Sequence, residues 1–98
     1  MVKSHSNRPY QETLVASGKT ETVIRKFSEY SDSDEFKWHW DEEDRLIHMV
    51  HKTDWKLQLD NELPIQIKST IRISKGTWHR LIKGTGDLSI IVEKIKDI

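Results

Sequence analysis

Wherever the chain shows a pattern, apolar and polar side chains alternate with a period of two, the mark of half-buried β-strands. The segment Trp55–Asp60 is the clearest case, with Trp55, Leu57 and Leu59 set against Lys56, Gln58 and Asp60. Thr20–Phe27 (TETVIRKF) is rich in β-branched residues and predicts another strand. Arg45–His51 (RLIHMVH) places Leu46 and Val50 on one face and Ile47 and Met49 on the other. Ile65 and Ile67 after Pro64, then Ile71 and Ile73, His79–Ile82 and Leu88–Ile95 continue the series. Leu14–Ala16 predicts a short strand before the Ser17-Gly18 turn. Lys37–Asp41 predicts one in which Trp38 and Trp40 face away from His39 and Asp41. Turn chemistry at Asn61-Glu62, Gly76 and Lys83–Asp87 separates these runs, and Ser28–Phe36 reads as an acidic loop. No segment sustains the i, i+3, i+4, i+7 spacing of a helix. The expected fold is all-β, a sandwich or barrel of short strands. Residues 1–12, polar and broken by Pro9, read as an arm or edge segment, and residues 13–98 as the barrel.

Composition narrows the function classes. With 98 residues the chain is one domain with a modest core. Its 16 basic and 16 acidic side chains cancel, so no net field draws it to nucleic acid or to an anionic membrane. The absence of cysteine excludes disulfides, thiolate metal sites and cysteine nucleophiles. No apolar run approaches the roughly 20 residues that span a bilayer, and the N-terminus lacks a signal-like apolar core. A cytoplasmic protein with neither nucleic acid nor membrane as partner is the expectation. G-x-S-x-G, HExxH and calcium-loop patterns are absent from the sequence.

The chemistry-bearing stretch is SKGTWHR, Ser74 to Arg80, in which a glycine turn precedes His79 by three residues. Upstream, FKWHWDEEDR carries His39 and Asp41 two apart, so on a strand they share a face. Together these segments resemble the two motifs of the cupins, the small jelly-roll barrels of the RmlC-like superfamily. In the second motif Ser74 stands at the proline position, Gly76 at the glycine and His79 at the histidine. Lys68 and Lys83 replace its leading glycine and trailing asparagine. In the first motif His39 takes the first histidine position, Asp41 the second, Arg45 the glutamate and Lys52 the final glycine. The resemblance covers roughly residues 20 to 95 and implies a single-domain double-stranded β-helix.

Family cupins bring three histidines and a glutamate around a divalent metal inside the barrel. The resemblance therefore implies His39, Asp41 and His79 as ligands for one divalent ion, iron, manganese, nickel or zinc, or no metal at all. Two histidines and a carboxylate form the facial set of non-haem Fe(II) oxygenases. Arg45 opposes a metal: a guanidinium is always charged, has no lone pair, and pairs naturally with Asp41. Three functions stay open. The first is a pocket for an anionic small molecule, lined by His39, Asp41, Arg45 and His79 with Trp55 and Trp78 as wall. The second is a metal-dependent oxygenase or isomerase. The third is an interaction protein with a vestigial pocket. Trp38 and Trp40, facing outward, predict a homodimer interface. His48 and His51 are three apart and cannot chelate one ion from a regular strand.

Overall fold

A computed structural model describes residues 10–30 and 32–96. Most of the arm expected over residues 1–12, with His5, lies outside the described residues, as do residues 97 and 98. Among the described residues eight strands form: β1 (Tyr10–Ser17), β2 (Thr20–Phe27), β3 (Asp44–Met49), β4 (Lys56–Leu59), β5 (Ile65–Gln66), β6 (Ile71–Ile73), β7 (His79–Ile82) and β8 (Leu88–Ile95). They pair antiparallel in two sheets, ordered β1-β2-β8-β3-β6 and β5-β4-β7. The expected all-β fold is the observed one.

The core is built from the lumen-facing members of each alternation. β2 contributes Val23 and Phe27, β8 contributes Leu88, Ile90 and Val92, and β7 contributes Leu81. Ile47 and Ile73 add to it from β3 and β6 of the same sheet as β2 and β8, and Leu57 and Ile67 from β4 and the loop after β5. Aromatic rings close one end: Phe27 lies 4.9 Å from Tyr10, 6.2 Å from Phe36 and 6.1 Å from Trp55, centroid to centroid. These are the tilted contacts that ring quadrupoles favour. Trp55 is fully buried, and its Nε1–H donates to the Gly86 carbonyl at 3.0 Å.

Two expected elements differ. Tyr10–Ser17 is a full strand rather than the three residues of Leu14–Ala16. It is an edge strand held by main-chain bonds to β2, and an edge needs no apolar alternation to pair. Lys37–Asp41 is not a strand. The chain instead makes a 3-10 turn over Asp34–Phe36, started by Ser33, whose hydroxyl accepts from the Glu35 N–H at 3.0 Å. Beyond that turn only His39 pairs, through an isolated bridge to His79.

Candidate functional site

Three main-chain bonds lock the two histidine segments together. His39 N–H donates to the His79 carbonyl at 3.0 Å, His79 N–H to the His39 carbonyl at 2.8 Å, and Gly76 N–H to the Asp41 carbonyl at 2.9 Å. Gly76 has a φ of 78°, the left-handed conformation that glycine adopts without a side-chain penalty. The turn it makes brings residues 74–79 back against the Asp41 segment. The bridge places the imidazoles side by side, with ring centroids 4.3 Å apart and the planes inclined at 58°. His39, Asp41 and His79 therefore meet, each offering a ligand atom within 4.8 Å of the others.

The tautomers follow from the local bonds. His39 Nδ1 sits 2.7 Å from the Lys37 carbonyl and His79 Nδ1 2.7 Å from the Thr77 carbonyl. A carbonyl only accepts, so each Nδ1 carries the proton, and each neutral ring turns an Nε2 lone pair inward. His79 Nε2 then lies 3.2 Å from Asp41 Oδ2, and His39 Nε2 lies 3.5 Å from Glu35 Oε1. Both His39 Nε2 and Asp41 Oδ2 are buried without a hydrogen-bond partner. Lone pairs facing one another at these distances repel unless a proton or a metal ion stands between them.

The charges around the cluster carry the same demand. Arg25 is 6 % exposed yet fully engaged: its Nε donates to Glu12 at 2.8 Å and its Nη1 lies 3.5 Å from Glu35. Arg45 gives Nε and Nη2 to Glu43 Oε1 at 2.9 and 2.7 Å, with Nη2 3.4 Å from Asp41 Oδ1. Four carboxylates thus stand against two guanidinium groups, an acidic excess of two charges that a divalent cation matches. Burial works to raise the Asp41 carboxyl, but His79, Arg45 and His39 outweigh it and hold Asp41 below the usual carboxylate range. Glu35 is likewise lowered, since His39 and Arg25 outweigh its burial. Burial alone would lower His39; Glu35, the Lys37 carbonyl and Asp41 overcome it and raise that imidazole above its ordinary value.

The cluster opens on a cavity with about 30 Å3 available to the centres of water-sized molecules, room for roughly two or three waters. Its polar lining is Arg25, Glu35, His39, Arg45 and His79, and the remaining walls are apolar. Asp41, Trp55 and Trp78, expected to line the pocket, do not; Asp41 stands behind His79 and Arg45, with Oδ2 3.2 Å from His79 Nε2 and Oδ1 3.4 Å from Arg45 Nη2. Trp55 belongs to the core, because its full alternation with Leu57 and Leu59 continues inward, and Trp78 is 48 % exposed on the opposite side of the chain from His79. Trp38 and Trp40 point outward as expected, 41 % and 50 % exposed, and the Arg80 guanidinium lies 4.9 Å above the Trp38 ring. His48 is bound to Glu93 at 2.6 Å and to Thr70 at 2.8 Å, away from the site.

Arg45, expected to oppose a metal and to pair with Asp41, does lie 3.4 Å from Asp41 Oδ1, but Glu43 takes both of its close hydrogen bonds. Two site residues escape a sequence reading. Arg25 had a signal, since the i, i+2 spacing of Val23, Arg25 and Phe27 puts it on the apolar face of β2. Glu35 had none, because only the fold of the acidic loop carries it to His39.

No protein-family model matches the chain, and no curated protein matches it by sequence. Solved structures do. A cupin domain from Bordetella pertussis Tohama I is 14 % identical over 92 % of this chain and 97 % of its own, with a TM-score of 0.68. KdgF from Halomonas sp. is 17 % identical over 91 % of this chain and 81 % of its own, with a TM-score of 0.71. FeII HppE is 10 % identical over 87 % of this chain and 49 % of its own, with a TM-score of 0.64. At these identities the likeness is one of fold. Two antiparallel sheets closing over the paired histidine segments, together with these neighbours, make the chain a small cupin-fold protein.

Proposed function

We propose that the barrel is a divalent-metal site in which His39 Nε2, His79 Nε2 and Asp41 Oδ2 hold the ion. The observation that carries this reading is the pair of buried, unpartnered atoms, His39 Nε2 and Asp41 Oδ2, beside a second imidazole whose tautomer also frees Nε2. Metal-binding histidines in general have the opposite ring nitrogen tied down, which fixes the tautomer and the ring plane. The Lys37 and Thr77 carbonyls do this here. The acidic excess supports the same choice, and it weighs against an anionic ligand in a metal-free pocket. FeII HppE, an iron-containing protein of this fold, is a further support.

Three protein donors leave coordination positions free for a small molecule, and the ion would supply Lewis acidity or redox chemistry there. The chain's own groups do the rest. Glu43 and Asp41 hold Arg45 at the cavity wall, and Glu12 and Glu35 hold Arg25. The apolar walls lower the local dielectric beside the donors, which strengthens the electrostatic interactions made there. The function is therefore metal-dependent binding of a small molecule, with oxygenase or isomerase chemistry as the class such a centre serves.

The test is elemental analysis of untagged protein beside Asp41→Ala. Wild type should carry iron, manganese, nickel or zinc at near one equivalent, and the variant should lose it. A folded wild type that takes up none of these ions, even after incubation and desalting, removes the proposal.

A further inference from the structure

Two carboxylates reach the imidazoles from different sides. Asp41 meets His79, with Oδ2 3.2 Å from Nε2, and Glu35 meets His39, with Oε1 3.5 Å from Nε2. Two donors that each stand about 2.1 Å from one ion, at the tetrahedral angle, are about 3.4 Å apart, and both pairs match that separation. Among the described residues Glu35 alone brings a carboxylate to the cavity lining, where it stands with both imidazoles. The short bonds of the two guanidinium groups go elsewhere, Arg25 to Glu12 at 2.8 Å and Arg45 to Glu43 at 2.7 Å. Glu35 and Asp41 keep only the longer contacts, 3.5 Å to Arg25 and 3.4 Å to Arg45. The two carboxylates left over are therefore the two that flank the imidazoles, and together they match the charge of a divalent ion.

We propose, resting on the metal centre argued above, that Glu35 is a fourth protein ligand of the ion, joining His39, His79 and Asp41, with Arg25 as the donor that orients its carboxylate. The backbone of Glu35 is anchored by its own turn: the buried Ser33 hydroxyl accepts from its N–H at 3.0 Å, and Phe36 packs against Phe27 and Trp55. Arg25 Nη1 donates to Glu35 Oε1 at 3.5 Å, and ligating carboxylates are in general hydrogen-bonded in this way. Glu35 lies outside the tight group of His39, Asp41 and His79. The terminal torsion of a glutamate is broad, so its carboxylate turns towards an ion at little cost, while Glu12 keeps Arg25 in place. Four protein donors leave an octahedral ion two positions, in keeping with a cavity that has room for only roughly two or three waters.

The experiment is titration of cobalt(II) into chelator-treated wild type, Glu35→Gln and Glu35→Ala, followed by visible absorption, whose bands report the number and type of ligands. Both variants should bind cobalt at least about tenfold more weakly, since losing even an outer-shell partner costs that much, and their bands should shift. Acetate has the same heavy atoms as the group that Glu35→Ala removes, so it should restore the affinity and the bands of that variant where chloride does not. Glu35→Gln keeps the volume and an oxygen for Arg25, so it tests the ligand without disturbing the fold. A folded variant with wild-type affinity and bands overturns Glu35 as a ligand and leaves the three-residue centre standing. Weaker binding with unchanged bands does the same, because Glu35 would then act only through His39. Wild type that takes up no cobalt overturns both.

Discussion

Single residues decide whether this pocket admits a cation. Arg45, at a position where a guanidinium would oppose a metal, is neutralised by Glu43, only two residues before it in the chain. Arg25, which alternation places in the core, is tolerable there because Glu12 stands directly opposite it on β1 and Glu35 reaches it from the loop. A buried charge without such partners shifts or unfolds its surroundings. Titration of the metal-free protein follows from the same contacts. His39 is raised, so its contribution to stability is complete below its unfolded pKa and is lost as pH rises through the raised folded value. Glu35 and Asp41 are lowered, so theirs is present above the usual carboxylate range and is lost as pH falls through their depressed values. Stability should therefore peak at about pH 5 to 6. Urea unfolding in EDTA from pH 3 to 9 checks this, and His39→Gln should flatten the alkaline limb while keeping the acid one. A wild-type midpoint that stays level between about pH 6 and 8 contradicts the assignment.

At the scale of elements, β2, β7 and β8 have the ends their sequences predict, because each is a regular run bounded by glycine, proline or polar turns. Elements without an apolar alternation of their own do not. β1, an exposed edge strand, pairs with the neighbouring β2 from Tyr10 to Ser17 with a register shift between Leu14 and Ala16, and the residues around His39 make one isolated bridge rather than a ladder. The loop after β7 shows a constraint of another kind. Asp54 accepts from the Thr85 N–H and hydroxyl at 2.8 and 2.7 Å, drawing Gly84 against Trp55. A Cβ at Gly84 would fall against Asp54 Oδ1 and 2.7 Å from the Trp55 nitrogen. Gly84→Ala should therefore cost about 2 kcal/mol, the usual scale of overpacking, read as a lowered urea midpoint. An unchanged midpoint would show that the loop yields freely.

For the whole molecule, the His39–His79 bridge separates two surfaces of opposite character. The imidazoles face the lumen, while Trp38, Trp40 and Trp78 are exposed behind them. The homodimer expected from Trp38 and Trp40 makes a direct prediction: Trp40→Glu should convert a dimer to monomers by light scattering, and a variant of unchanged mass removes that interface. Alternation and turn chemistry alone determined the all-β class, most strand positions and the two histidine segments, because a period of two acts within a few residues and needs no partner. The meeting of His39, Asp41 and His79 and the pairing of Arg25 with Glu12 and Glu35 were decided only by tertiary structure. Those features rest on which side chains come to lie beside each ring or guanidinium, and contacts across 10 to 40 residues leave no local trace in the order of the amino acids, whereas the bonds that set the tautomers and hold Arg45 on Glu43 span two residues and still depend on the local chain path.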